Sequence, residues 1–142
     1  MASLMRRYGL APEEIERRSL ELIEAAIPTC SGWTSEARDV VKRMVYAAGD
    51  LGLCGLTHVH PEAVEAAVEA LRAGACIVCD VRMVAAGLRH TSNPVVVAIE
   101  HAPAAAGITR TAAGMQQLAT ELDGSLAVVG NAPTALLALL DM

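Results

Sequence analysis

The chain has 142 residues, 54% of them apolar and 19% charged, with a formal net charge of -5. That length suits one domain with a core of its own, and the acidic balance, without a basic stripe and interleaved aromatics, excludes nucleic acid as a main partner. No run reaches the ~18 to 20 apolar residues of a membrane span and no apolar leader follows Arg6 and Arg7, so a cytoplasmic protein with reduced Cys30, Cys54, Cys76 and Cys79 is expected.

Aromatic residues are limited to Tyr8, Trp33 and Tyr46, with no Phe, so Ala, Val and Leu must fill the core. Residues 11–27 read as a helix: Pro12 suits a first turn, Glu13 and Glu14 suit its positive end, and Ile15, Ser19, Leu22 and Ile23 share one face. After Pro28, Thr34 or Ser35 caps a second helix that runs to Gly49, with Val40, Val41, Met44 and Val45 as its apolar side and Tyr46 near its end. Residues 49–60 are loop-like, with room for a short strand. Residues 60–74 form an amphipathic helix closed by Gly74, with Glu62, Glu65 and Glu69 on a solvated face.

From residue 75 the pattern changes. Residues 75–81 (ACIVCDV), 94–101 (PVVVAIEH) and 124–130 (GSLAVVG) are apolar runs of strand length. Helical stretches follow each: RMVAAGL, then ITRTAAGMQQLATEL, then NAPTALLALL. A βαβαβα order with runs apolar on both faces predicts a parallel sheet with right-handed crossovers. Cys76 and Cys79 fall at i and i+3 of a strand, on opposite faces, and read as buried thiols rather than a metal or disulfide pair.

Ligands of a parallel α/β sheet bind beyond the carboxyl ends of its strands. That rule selects Asp80, Arg82 and Met83, the connection from Glu100 to Thr109, Arg110 and Thr111, and the turn holding Asn131 and Ala132. Two arginines at helix starts favour carboxylates or phosphates. Bland roles compete at each position. Asp80 can cap the next helix or form a salt bridge with Arg82, Thr109 or Thr111 can cap, and Ser19 can bond its own helix backbone.

The motifs CIVCDVRMVAAGL, GITRTAAGM and GSLAVVGNAPTALLALL, with IERRSLELI and VKRMVYAAG before them, resemble successive signatures of the precorrin-8X methylmutase family. The resemblance covers nearly the whole chain. It implies a flavodoxin-like, three-layer αβα sandwich with a mostly parallel sheet, as one domain over residues 1–142, and a homodimer. It also implies an isomerase of cobalamin biosynthesis that moves a methyl group from C11 to C12 of a tetrapyrrole, giving hydrogenobyrinic acid or its cobalt form. No cofactor or metal of the protein's own is implied.

On the same resemblance, Arg17 and Ser19 join the substrate-binding set of Asp80, Arg82, Met83, Thr109, Arg110, Thr111, Asn131 and Ala132. Tyr46 stands where the family carries a histidine, the expected proton donor, and a phenol with a pKa of about 10 is a weaker acid. A non-catalytic corrinoid-binding paralogue is therefore the alternative, and an unrelated flavodoxin-like anion-binding domain a third reading. Family members continue past the last helix, so its apolar face is expected to meet a second chain or a continuation.

Overall fold

A computed structural model describes residues 9, 11–27, 32–88, 91–103, 107–130 and 132–142. Its contacts divide the chain into two compact units, Met1–Val64 and Glu65–Met142.

In the first unit, α1 (Pro12–Ala26) opens on its proline with Glu13 and Glu14 in the first turn. The side chain of Thr34 accepts the Ala37 N–H at 3.2 Å and so caps α2 (Ser35–Ala48). That helix ends where Gly49 takes a left-handed φ of 67°, its N–H donating to the Val45 carbonyl. The buried stripe of α2 is Ala37, Val41 and Val45, one residue every helical turn. Val40 and Met44, expected on the same side, stay about two-fifths exposed, and Leu22 of α1 is 69% exposed. Ion pairs join the two helices: Glu24 receives Arg38 at 2.7 Å and Lys42 at 3.0 Å, and Arg43 reaches Glu16. Where a loop or strand was expected, Leu53–Leu56 form a one-turn helix, α3, with the Gly52 N–H donating to Asp50 just before it.

Helix α4 (Ala63–Arg72) spans the division in sequence and carries Glu65 and Glu69 exposed. In the second unit follow β1 (Ile77–Cys79), α5 (Arg82–Gly87), β2 (Val95–Val97), α6 (Arg110–Gln117), β3 (Leu126–Val128) and α7 (Pro133–Leu140). The three described strands are all parallel in the order β2–β1–β3, with Val78 opposite Val96 and Ala127. The fold is thus α/β, as the alternation of apolar runs predicts. Each strand keeps only three residues of its run. The end of the second run, Ala98–Glu100, turns into a 3-10 helix instead of extending the sheet.

The central strand is wholly buried, and the core around it is built from Val78, Ala98, Ala112, Met115, Leu118, Ala135 and Ala138. Alanines facing one another let α6 and α7 lie close, which is how a chain without Phe reaches interior density. Gly114 marks the tightest approach: a Cβ there would stand 1.8 Å from the Ala98 carbonyl oxygen. The Asn93 amide donates to the carbonyls of Leu71 and Ala75 at 2.9 and 3.0 Å and ties the lead-in of β2 to the end of α4. Among the described residues, no helix is long and apolar enough to cross a membrane, and no cluster of His, Cys, Asp and Glu could hold a metal ion.

Candidate functional site

At the carboxyl end of the sheet, Asp80 adds one rung on both sides. Its N–H donates to the Val128 carbonyl at 3.1 Å, and its carbonyl accepts the Ile99 N–H at 3.2 Å. Its side chain is fully buried. Oδ1 accepts the Val81 N–H at 2.8 Å, and Oδ2 accepts those of Gly130 at 3.2 Å and Ala132 at 3.0 Å. Charge-assisted bonds of this kind offset the cost of taking a carboxylate out of water. The expected roles of Asp80 as helix cap and partner of Arg82 are therefore corrected. The N-cap of α5 is Val81, and the Asp80 carboxylate faces inward.

Arg82 pairs instead with Glu100, which the 3-10 turn brings round to meet it. The hydrogen bond first, and the charge second, raise the Arg82 pKa further above its ordinary value. Arg110, the first residue of α6, donates from Nη2 to the Ile99 carbonyl at 3.2 Å. These side chains line an open cleft of about 340 Å³ together with Val81, Met83 and Ile99. Met83 is 68% exposed there and offers an apolar surface beside the charges. Two guanidiniums against one carboxylate leave the cleft with a surplus positive charge, suited to an anionic group.

Three hydroxyls meet beside it. Thr109 caps α6 by accepting the Ala112 N–H at 3.4 Å. Its oxygen lies 2.6 Å from that of Thr134, and Thr111 lies 3.3 Å from Thr134. Thr111 is buried, Thr109 exposed. The starts of α6 and α7 are thus joined through side chains, and a second recess of about 330 Å³ opens between Ile108, Gln116 and Leu137.

The second unit therefore brings together Asp80, Arg82, Met83, Thr109, Arg110, Thr111 and the backbone of Ala132. Asn131 lies outside the described residues. Sequence reasoning missed Thr134 as a member of this set, and named Glu100 only as the start of the connection after the second apolar run. Thr134 was findable as the residue after Pro133 at a helix start. The remaining predicted residues belong to the first unit. Arg17 sits between Glu14 and Glu21 on its own helix, at 2.6 and 2.5 Å. Ser19 donates its hydroxyl to the Ile15 carbonyl at 2.8 Å, the local bond expected of a serine inside a helix. Tyr46 is 39% exposed on α2.

A family model described as "CbiC: Precorrin-8X methylmutase" matches residues 14–142. A precorrin-8X methylmutase from Sinorhizobium sp is 37% identical over 137 residues, which cover 90% of this chain and 65% of that protein. A cobalt-precorrin-8 methylmutase from Priestia megaterium is 30% identical over 139 residues, 91% of this chain and 61% of that one. The crystal structure of a precorrin-8x methyl mutase from Thermus thermophilus superimposes with a TM-score of 0.78 at 36% identity, covering 89% of this chain and 66% of that one. The chain spans slightly less than two thirds of the length of these proteins.

Proposed function

The chain belongs to the precorrin-8X methylmutase family, and from that premise we propose that it acts on precorrin-8x or its cobalt form, moving the C11 methyl group to C12. The observation that carries this reading is the cleft at the sheet's carboxyl end, where Arg82 and Arg110 stand at two helix starts. A tetrapyrrole with many carboxylate arms supplies the groups such a cleft takes. Pockets that enclose a drug-sized ligand run to ~300–1,000 Å³. At about 340 Å³ this cleft fits a carboxylate-bearing edge of the macrocycle, with Met83 against its apolar face.

The reaction is an intramolecular migration, so atoms and electrons balance within the substrate. Holding the macrocycle in one orientation removes much of the entropic part of the barrier. Arg82 and Arg110 bind and orient, and the hydroxyls of Thr109 and Thr134 offer donors beside them. Tyr46 stands at the position matching the family's histidine, and the resemblance gives it the proton-donor role. A phenol delivers a proton less readily at neutral pH than an imidazole.

A homodimer in the cytoplasm and a single methylmutase-like domain over 1–142 belong to the same reading. The strand order β2–β1–β3 also agrees with the start of the 2-1-3-4-5 order of flavodoxin-like, three-layer doubly wound sheets. Tyr46 itself favours the alternative, a tetrapyrrole-binding paralogue without turnover.

Wild type and Tyr46→His, each incubated with precorrin-8x, separate the two readings. Formation of hydrogenobyrinic acid by the wild type, followed by its absorption spectrum, is expected. Turnover only after Tyr46→His would establish the paralogue. No spectral change on titrating either protein with hydrogenobyrinic acid would remove both.

A further inference from the structure

We infer that Asp80 is a positioning residue: a buried carboxylate that sets where the helix starts of the cleft stand, rather than a group that meets the ligand. The inference rests on the tetrapyrrole reading for the ligand it names, but its geometry does not.

The side chain bridges 50 residues of sequence to reach Gly130 and 52 to reach Ala132. Among the described residues no backbone carbonyl accepts either N–H; the carboxylate takes that place. Ala132 is the N-cap residue of α7, and its side chain makes no cap bond. The position of the α7 start is therefore delegated to Asp80. From there the linkage continues through side chains: Thr134, in the first turn of α7, meets Thr109 at 2.6 Å, and Thr109 caps the helix that Arg110 begins. A second constraint acts on the same segment from the other side. A Cβ at Gly130 would lie 2.4 Å from Cγ2 of Val84 on α5. Gly130 is thus fixed between a carboxylate and a branched side chain.

The test uses the full chain with Asp80→Asn and, as an independent disturbance of the same segment, Gly130→Ala. Amide resonances of Gly130, Ala132, Thr134, Thr109 and Arg110 are recorded, and affinity for hydrogenobyrinic acid is measured by absorbance titration. Asn keeps one acceptor oxygen and loses the charge, so the amides of Gly130 and Ala132 should move most. Thr109 and Arg110 should move with them, and affinity should fall on the order of tenfold or more. Gly130→Ala should displace the same resonances. The double variant should lose less than the product of the two single losses, because both act on one element.

Displacements confined to residues touching Asp80, with unchanged affinity, would overturn the inference. Where Asp80→Asn does not fold, amide exchange in the wild type decides. Slow exchange at Gly130 and Ala132 is expected; exchange as fast as in an open loop would refute it. If the wild type binds no tetrapyrrole, the functional reading falls, and the coupled movement of Thr109 and Arg110 still decides the role of Asp80.

Discussion

Replacing Gly114 by alanine should destabilise the protein, although helix propensity alone predicts the opposite. Alanine inside a helix is favoured over glycine by ~1 kcal/mol. Against that, the new Cβ would stand 1.8 Å from the Ala98 carbonyl oxygen and 2.5 Å from its carbon, both backbone atoms. Ordinary contact begins near 3.4 Å, so α6 would have to retreat by about 1.6 Å. Overpacking of a core typically costs ~1–3 kcal/mol when side chains can yield. Here the backbone must yield, and the retreat also loosens Met115 and Leu118, whose burial is worth ~1.5–3 kcal/mol each. The expected balance is a loss of ~2–4 kcal/mol, which would appear as a Tm lower by about 10 °C. Urea unfolding followed by circular dichroism measures it. Gly87→Ala is the matched control: it sits in α5 with nothing within 4 Å of the added Cβ. It should be neutral or stabilise by up to ~1 kcal/mol. A Gly114→Ala protein as stable as the wild type would refute the close approach of α6 to the 3-10 turn.

Other perturbations reach the site and the first unit. Glu100→Gln should free Arg82 for an external carboxylate, tightening hydrogenobyrinic acid binding several-fold at low salt. Stability should barely move, since the pair is largely exposed; weaker binding would mean that Glu100 orients Arg82 instead of competing for it. The Glu24 carboxyl, held below its ordinary pKa by hydrogen bonds from Arg38 and then Lys42, should titrate low in carbon NMR. Its folded pKa is depressed, so its contribution is present above the unfolded pKa and lost as pH falls through the folded one; the first unit should loosen on acidification through and below the ordinary carboxylate range. Titration of Glu24 at its ordinary value would contradict the pairing. Burial, followed by the charges of Asp80 and Cys76, pushes the Cys79 thiol pKa up. Thiol reagents should therefore modify the partly buried Cys54 and Cys76 well before Cys79, and equal rates would argue against its burial.

What the sequence disclosed and what it withheld divide along range of interaction. Pro12, Thr34, Gly49 and Thr109 act on neighbours within a turn, so helix starts and stops were legible from residue type. The parallel sheet was legible because its strands are apolar on both faces. The turning of Ala98–Glu100 was not, since Ala-Ile-Glu carries no breaker, and the close packing of Gly114 against Ala98 decides its path. Asp80 and Arg82, two residues apart, read naturally as partners. Their actual partners lie up to 52 residues away and were chosen by the fold, not by spacing. On α2 the sequence offered four apolar residues for one side, and packing buried only Val41 and Val45 of them.

The alanine-lined meeting of α6 and α7 has an engineering consequence. Ala112, Ala113, Ala135 and Ala138 are buried and carry no methylene that could be trimmed. Shortening side chains where these helices meet therefore opens little new space. A change in what the protein accepts has to be introduced at the rim, where Met83 and Ile108 face water and can be exchanged without disturbing what lies below.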